Sequence, residues 1–238
     1  MPFPPPEKAW LMVQLYELPE PSGQGTSPRL RISTAQRYSC LGYTIPARLS
    51  KVPGELIVML GGVKAPSGPC PAAFGPAVTD VVLPATERGT FTLRLRHGNQ
   101  EDQYRLVLEE DRLELSPLRV SISTSWSPPV QLRAPKGALH LQCIFKDWEN
   151  RCREQAAEGA PTCETFFADP VTAQLVEPLE LKTGAYSLAF FNYPRGCDVR
   201  APEGVEALVR HISERYRDPT HCLYITLHTW QGGGYSNL

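Results

Sequence analysis

Seven cysteines and five histidines are the most reactive side chains in this sequence. A thiol can serve as nucleophile, metal ligand or disulfide half, and its neighbours decide which. None of Cys40, Cys70, Cys143, Cys152, Cys163, Cys197 and Cys222 falls in a Cys-x-x-Cys pair, so zinc-ribbon and thioredoxin spacings are absent. Cys70 lies in Pro-Ser-Gly-Pro-Cys-Pro, Cys163 in Ala-Pro-Thr-Cys and Cys197 in Pro-Arg-Gly-Cys. A free thiol gains little packing in such loops, whereas paired thiols there suit an oxidising compartment. Locality along the chain predicts disulfides Cys40–Cys70, Cys152–Cys163 and Cys197–Cys222. Cys143, mid-strand in Leu-Gln-Cys-Ile-Phe, is then a buried thiol that packs as a small hydrophobe.

The histidines, His97, His140, His211, His221 and His228, form no His-Glu-x-x-His or His-x-His motif. Cys222 and His228 share one strand face but stand six residues apart, about 20 Å at ~3.3 Å per residue, too far for a thiolate–imidazole pair. A metal or catalytic site would have to be assembled across strands. His140, His228 and Asp198 are the residues for it, in a cleft between two halves of the chain. There is no Gly-x-Ser-x-Gly elbow, and no Gly-Lys-Ser/Thr follows Gly61-Gly62 or the glycines at 232–234. No cofactor is expected.

The third chemical signal is basic. Arg94, Arg96 and Arg105 point outward from adjacent strands and suit the carboxylates of a partner. Glu101, Glu109 and Glu114 stand close enough to neutralise them, which would make the face a solvated mixed-charge surface. Tyr38, Tyr43 and Trp126 are further contact candidates. Nucleic acid is excluded as a partner: residues 136–238 carry 10 basic and 13 acidic residues, and the aromatic run Tyr186–Tyr193 lacks the basic-glycine signature of an RNA-recognition sheet. A protein or glycan partner fits better.

What must position these groups is a strand-rich chain. Proline supplies 24 of 238 residues, about twice the usual ~5%, and disfavours helical bundles. With 42% hydrophobic residues and a net charge of -1, the chain can bury a core. Residues 89–116 alternate with period two (Phe91, Leu93, Leu95; Tyr104, Leu106, Leu108; Leu113, Leu115), with 97–102 taken as a turn. The expected fold is mainly β: a proline-rich tether over 1–8, an antiparallel immunoglobulin-like β-sandwich over 9–127, an α+β unit of βαββαβ type over 136–231 and a flexible tail over 232–238. The second unit is read as strand Leu139–Phe145, helix Lys146–Glu158, strands Thr172–Lys182 and Ala185–Tyr193, helix Pro202–Arg217 and strand His221–Trp230. The echo of Gly89-Thr-Phe-Thr-Leu in Gly184-Ala-Tyr-Ser-Leu is an isolated match rather than a repeat.

No apolar run reaches the ~18 residues of a membrane span; the longest is Leu56–Leu60. The first residues lack the basic and apolar regions of a signal peptide. The expectation is a mature secreted, periplasmic or cell-surface protein whose leader preceded Met1, with the cytoplasm as the alternative. Its expected function is a non-catalytic extracytoplasmic binding or structural module. The alternatives are an enzyme or metal-binding protein with its site between the units, and a cytosolic adaptor that binds peptide along a sheet edge.

Overall fold

The computed structural model describes residues 10–19, 26–70, 73–84, 88–135, 137–145, 160–178, 182–188, 196–199, 202–217, 223–229 and 234–237. It is mainly β, with several sheets and few helices, and its chain divides into two compact units. The first takes in residues up to 18, residues 26–133 and the short segment 184–188.

Its strands in chain order are β1 (Leu11–Pro19), β2 (Thr26–Tyr38), β3 (Ala47–Val52), β4 (Glu55–Leu60), β5 (Gly75–Val82), β6 (Gly89–His97), β7 (Gln100–Leu108), β8 (Arg112–Arg119), β9 (Ser123–Ser125) and β10 (Val130–Leu132). They form a four-stranded sheet, β5-β2-β1-β9, and a six-stranded sheet, β10-β8-β7-β6-β4-β3. Alternate residues of both sheets enter one core: Leu11, Val13, Leu15, Leu30 and Ile32 from the first, Leu56, Val58, Leu93, Leu95 and Leu106 from the second.

The wholly antiparallel sandwich expected from the sequence is corrected here. β1 pairs parallel with β9, and β4 pairs parallel with β6. Period-two alternation reports which face is buried and says nothing of a neighbour's direction. Between β4 and β6 the chain leaves the six-stranded sheet, forms β5 in the other, and returns, which is the long crossover a parallel pair needs. β3 was not anticipated. It is joined to β4 through Pro53-Gly54, with Gly54 at φ +73°, a turn that proline and glycine favour.

The expected turn over 97–102 is shorter. Gly98, at φ +56°, and Asn99 make it, and β7 starts at Gln100. Asp102 therefore lies inside a strand and faces the core at 0% exposure. Its carboxylate accepts from the N–H groups of Ser121 (2.7 Å), Ile122 (3.1 Å) and Ser123 (2.8 Å) and from both serine hydroxyls. Ser123 Oγ also meets the Tyr104 hydroxyl at 2.6 Å, whose pKa burial pushes up to about 12 against that hydrogen bond. So held, Ile122 offers its carbonyl to the N–H groups of Trp10 and Leu11.

A second buried carboxylate closes the other end of β1. Glu17 receives Arg133 at 2.7 Å, Thr26 Oγ1 at 2.7 Å and the Ser187 hydroxyl. The segment 184–188 joins this unit through it: Leu132 N donates to Ala185 O, Ser187 N to Leu132 O, and Tyr186 bridges Leu132. Of the expected strand Ala185–Tyr193, only that isolated bridge lies within the described residues.

The second unit contains β11 (Ala138–Phe145), α1 (Cys163–Ala168), α2 (Pro170–Leu175), β12 (Val176–Pro178), β13 (Gly196–Val199), α3 (Pro202–Arg215), β14 (Leu223–Thr229) and β15 (Gly234–Ser236). Its sheet runs β12-β13-β11-β14-β15, every neighbour antiparallel. Leu139, Leu141, Leu223, Ile225 and Leu227 share a core with Leu208, Ile212 and Tyr216 from α3 and its C-terminal end, and with Phe166 of α1. The expected helix Lys146–Glu158 lies outside the described residues. The expected strand over 172–182 is corrected at its start, because Thr172–Leu175 are helical. Local capping overrides alternation there: Thr162 and Thr165 form a capping box on α1, and Asp169 caps α2 with Pro170 at its first position.

Cys40 and Cys70 are bonded, with Cα atoms 5.8 Å apart. Cys163 is bonded to Cys143, at 5.5 Å, and not to Cys152. The strand cysteine expected to stay free is thus half of a bridge, because α1 begins beside β11. Cys152 and Cys222, and the side chain of Cys197, lie outside the described residues.

Replacing Asp102 strands three backbone N–H groups in the core, and unpaired buried donors cost ~1–3 kcal/mol each. Asp102→Ala is expected to lose at least ~3 kcal/mol in urea unfolding followed by circular dichroism; a loss under ~1 kcal/mol would refute the anchoring role.

Candidate functional site

The outer face of the six-stranded sheet carries the arginines singled out in the sequence. Cross-strand register sets Arg94 opposite Gln103 and Arg96 opposite Glu101. Arg94 makes two bonds to Glu55, at 2.9 and 2.7 Å, and a third to Glu101 at 2.7 Å. Arg96 reaches Glu101 at 2.5 Å, and Arg105 pairs with Glu114 at 3.5 Å. Glu101 accepts from Gln103, Arg96 and Arg94, and these bonds hold its pKa down at about 2. Glu55 is lowered too, chiefly by its bonds to Arg94. The face is a charge-compensated lattice, and a partner's carboxylate would have to displace Glu55, Glu101 or Glu114 to reach these guanidinium groups.

The histidines meet in the other unit. His140 of β11 and His228 of β14 are cross-strand partners, with ring centroids 6.3 Å apart. The same row continues through Gly196 on one side and Gly234 on the other. A Cβ at Gly234 would stand 3.4 Å from His228 Nδ1, so a side chain there would press on the ring. His140 is 2% exposed; burial first, and the His228 charge second, push its pKa below the ordinary value. Asp198 stands opposite Ala138 in the register of β11 and β13, and its side chain lies outside the described residues. Among the described residues no three His, Cys, Asp or Glu side chains are grouped to hold a metal.

Sequence reasoning missed a third cluster. Asp169 caps α2 by accepting from the N–H groups of Val171 (2.9 Å) and Thr172 (3.3 Å). Its carboxylate also meets His211 Nε2 at 3.0 Å, Arg215 at 3.0 Å and the Tyr216 hydroxyl at 3.4 Å. Burial opposes its charge, but those backbone donors, with His211 and Arg215, outweigh it and lower the pKa. Spacing i,i+4 sets His211 and Arg215 on one side of α3, so the cluster locks α3 to the short helices. The Asp169-Pro170 dipeptide signals the helix start, but nothing local signals its partners on α3.

The fourth feature is an open groove of about 330 Å³ lined by Leu49, Ser50, Lys51, Leu56, Val82, Leu83 and Pro84. It runs beside β3, the outermost strand of its sheet, whose ladder partner is β4. The N–H and C=O groups of alternate β3 residues face away from β4, as on any edge strand. The Pro53-Gly54 turn was the sequence signal for this hairpin.

Among the described residues no helix is long and apolar enough to cross a membrane. No known protein family, curated protein or solved structure matches the chain.

The lattice makes a pH prediction. Glu101 has a folded pKa below its ordinary 4.5, so its contribution is present above that value and is lost as pH falls towards about 2. Carboxyl-carbon NMR should place its titration near 2, and in an Arg94→Ala, Arg96→Ala double variant the midpoint should move up towards 4.5. A midpoint near 4.5 in the unaltered protein would contradict the lattice.

Proposed function

We propose that this chain is a non-catalytic extracytoplasmic binding module that holds an extended polypeptide segment along the free side of β3. The observation that carries this reading is the juxtaposition of an edge strand with an apolar groove. An added strand pairs through the main chain, and its side chains alternate between two faces. One set would enter the groove beside Leu49 and Leu83. The other would lie over Arg48, Ser50 and Val52. Arg48 is exposed on this edge, where a charge opposes pairing with a second copy and favours an acidic residue in the partner.

In this reading the first unit is an immunoglobulin-like sandwich and the second is a βαββαβ-like unit extended by β15. Placement outside the cytoplasm is supported by the bonds Cys40–Cys70 and Cys143–Cys163. The first encloses the whole β3–β4 hairpin within a sequence separation of 30, closing a loop whose constraint contributes about 3.5 kcal/mol in the chain-entropy view.

The test is titration of the isotope-labelled protein with the blocked peptide acetyl-Glu-Val-Glu-Val-Glu-Val-amide, followed by amide NMR. Shifts confined to residues 47–52 and 82–84, and lost in Leu49→Asp, are expected. No shifts at millimolar peptide, or shifts centred elsewhere, would overturn the reading.

A further inference from the structure

The outward face of the four-stranded sheet is a separate surface. Of the three aromatic contact candidates, Tyr38 and Tyr43 stack on each other at 4.4 Å and pack against the core, whereas Trp126 is 73% exposed. Its backbone is nevertheless fixed, since Trp126 N donates to Val13 O at 2.8 Å. The parallel register pairs Met12 with Thr124 and Val13 with Ser125. Its next step brings Trp126 beside Gln14, which is exposed and alternates outward on β1 together with Tyr16.

The polar groups on this face are already ordered. Arg31 lies over the Tyr16 ring at 5.0 Å, donates to the Tyr16 hydroxyl at 3.3 Å and grips Asp80 with bonds of 2.8 and 2.9 Å. Arg29 stands opposite Val82 on the same face of β2, and its Nε is buried with no hydrogen-bond partner. Asp80 is hydrogen bonded to Arg31 and also feels the charge of Arg29, so among the described residues two guanidinium groups of this face share one carboxylate.

We propose that this face binds an acidic, uronate-containing polysaccharide. A pyranose ring has an apolar C–H face, which an exposed indole can cover, and a rim of hydroxyls, which paired donors and acceptors such as Gln14, Arg31 and Asp80 can bridge. Trp126 and the arginines of β2 are two strand spacings apart, roughly 10 Å, room for consecutive sugar units. A flat sheet face accepts the interior of a linear chain, and a uronate carboxylate would add a second anion where Arg29 and Arg31 share Asp80. This site lies on the opposite sheet from β3 and stands independently of the peptide reading.

Calorimetry with an alginate hexasaccharide, and with maltohexaose as the neutral probe, tests it. The alginate fragment should bind and shift the Trp126 indole NMR signal. Its affinity should fall with added salt and exceed that of maltohexaose by about tenfold or more. Trp126→Ala should lose about tenfold or more and Arg29→Gln about fivefold, with circular dichroism unchanged. No binding at millimolar alginate fragment, equal binding of the two sugars, or full affinity in a folded Trp126→Ala would overturn the proposal.

Discussion

The carboxylate of Asp102 is the constraint on which the first unit depends. A charge removed from water is costly unless it is fully hydrogen bonded, and here three N–H groups and two hydroxyls converge on it. The turn they belong to joins β8 to β9. Once residues 121–123 are gathered in, β9 lies parallel along β1 and Ile122 takes the N–H groups of Trp10 and Leu11. The path then continues through Trp126 to β10 and to the Glu17–Arg133 pair, where Ser187 joins. One buried acid thus sets the start of β1, and another secures its far end.

Much of the strand pattern is legible in the sequence, and the failures have a common physical source. Phe91, Leu93 and Leu95 alternate, as do Leu106 and Leu108, and all face the core. Asp102 sits at an inward position of that same pattern, yet an acid between Glu101 and Gln103 resembles a turn residue. Its partners are some 20 residues away and carry no local mark. The parallel neighbours of β1 and β4 are likewise matters of long-range closure. In the second unit, Thr172 to Leu175 look like strand by composition, but an aspartate cap followed by proline decides for helix. The Cys143–Cys163 bond follows from where α1 begins, which proximity in sequence does not reveal.

The candidate sites divide along similar lines. Arg94, Arg96 and Arg105 were legible as an outward basic set, as were Glu101 and Glu114; Glu55 was not anticipated, and Glu109 pairs with Arg112 instead. His140 and His228 were legible as strand residues; their direct apposition needed the register of β11 and β14. The β3 edge was passed over because a strand of six residues, all but Leu49 exposed, gives little periodic signal. In the two proposals, main-chain groups of an edge strand and the ring face of Trp126 would do the recognising.

The central claim, that Asp102 anchors residues 121–123 as firmly as the core itself, is tested most directly by native-state amide hydrogen exchange. If it holds, the Ile122 and Ser123 amides exchange only with unfolding of the first unit, at the same free energy as Leu93 and Leu106. Exchange of Ile122 and Ser123 several kcal/mol more easily than those strand amides would contradict it.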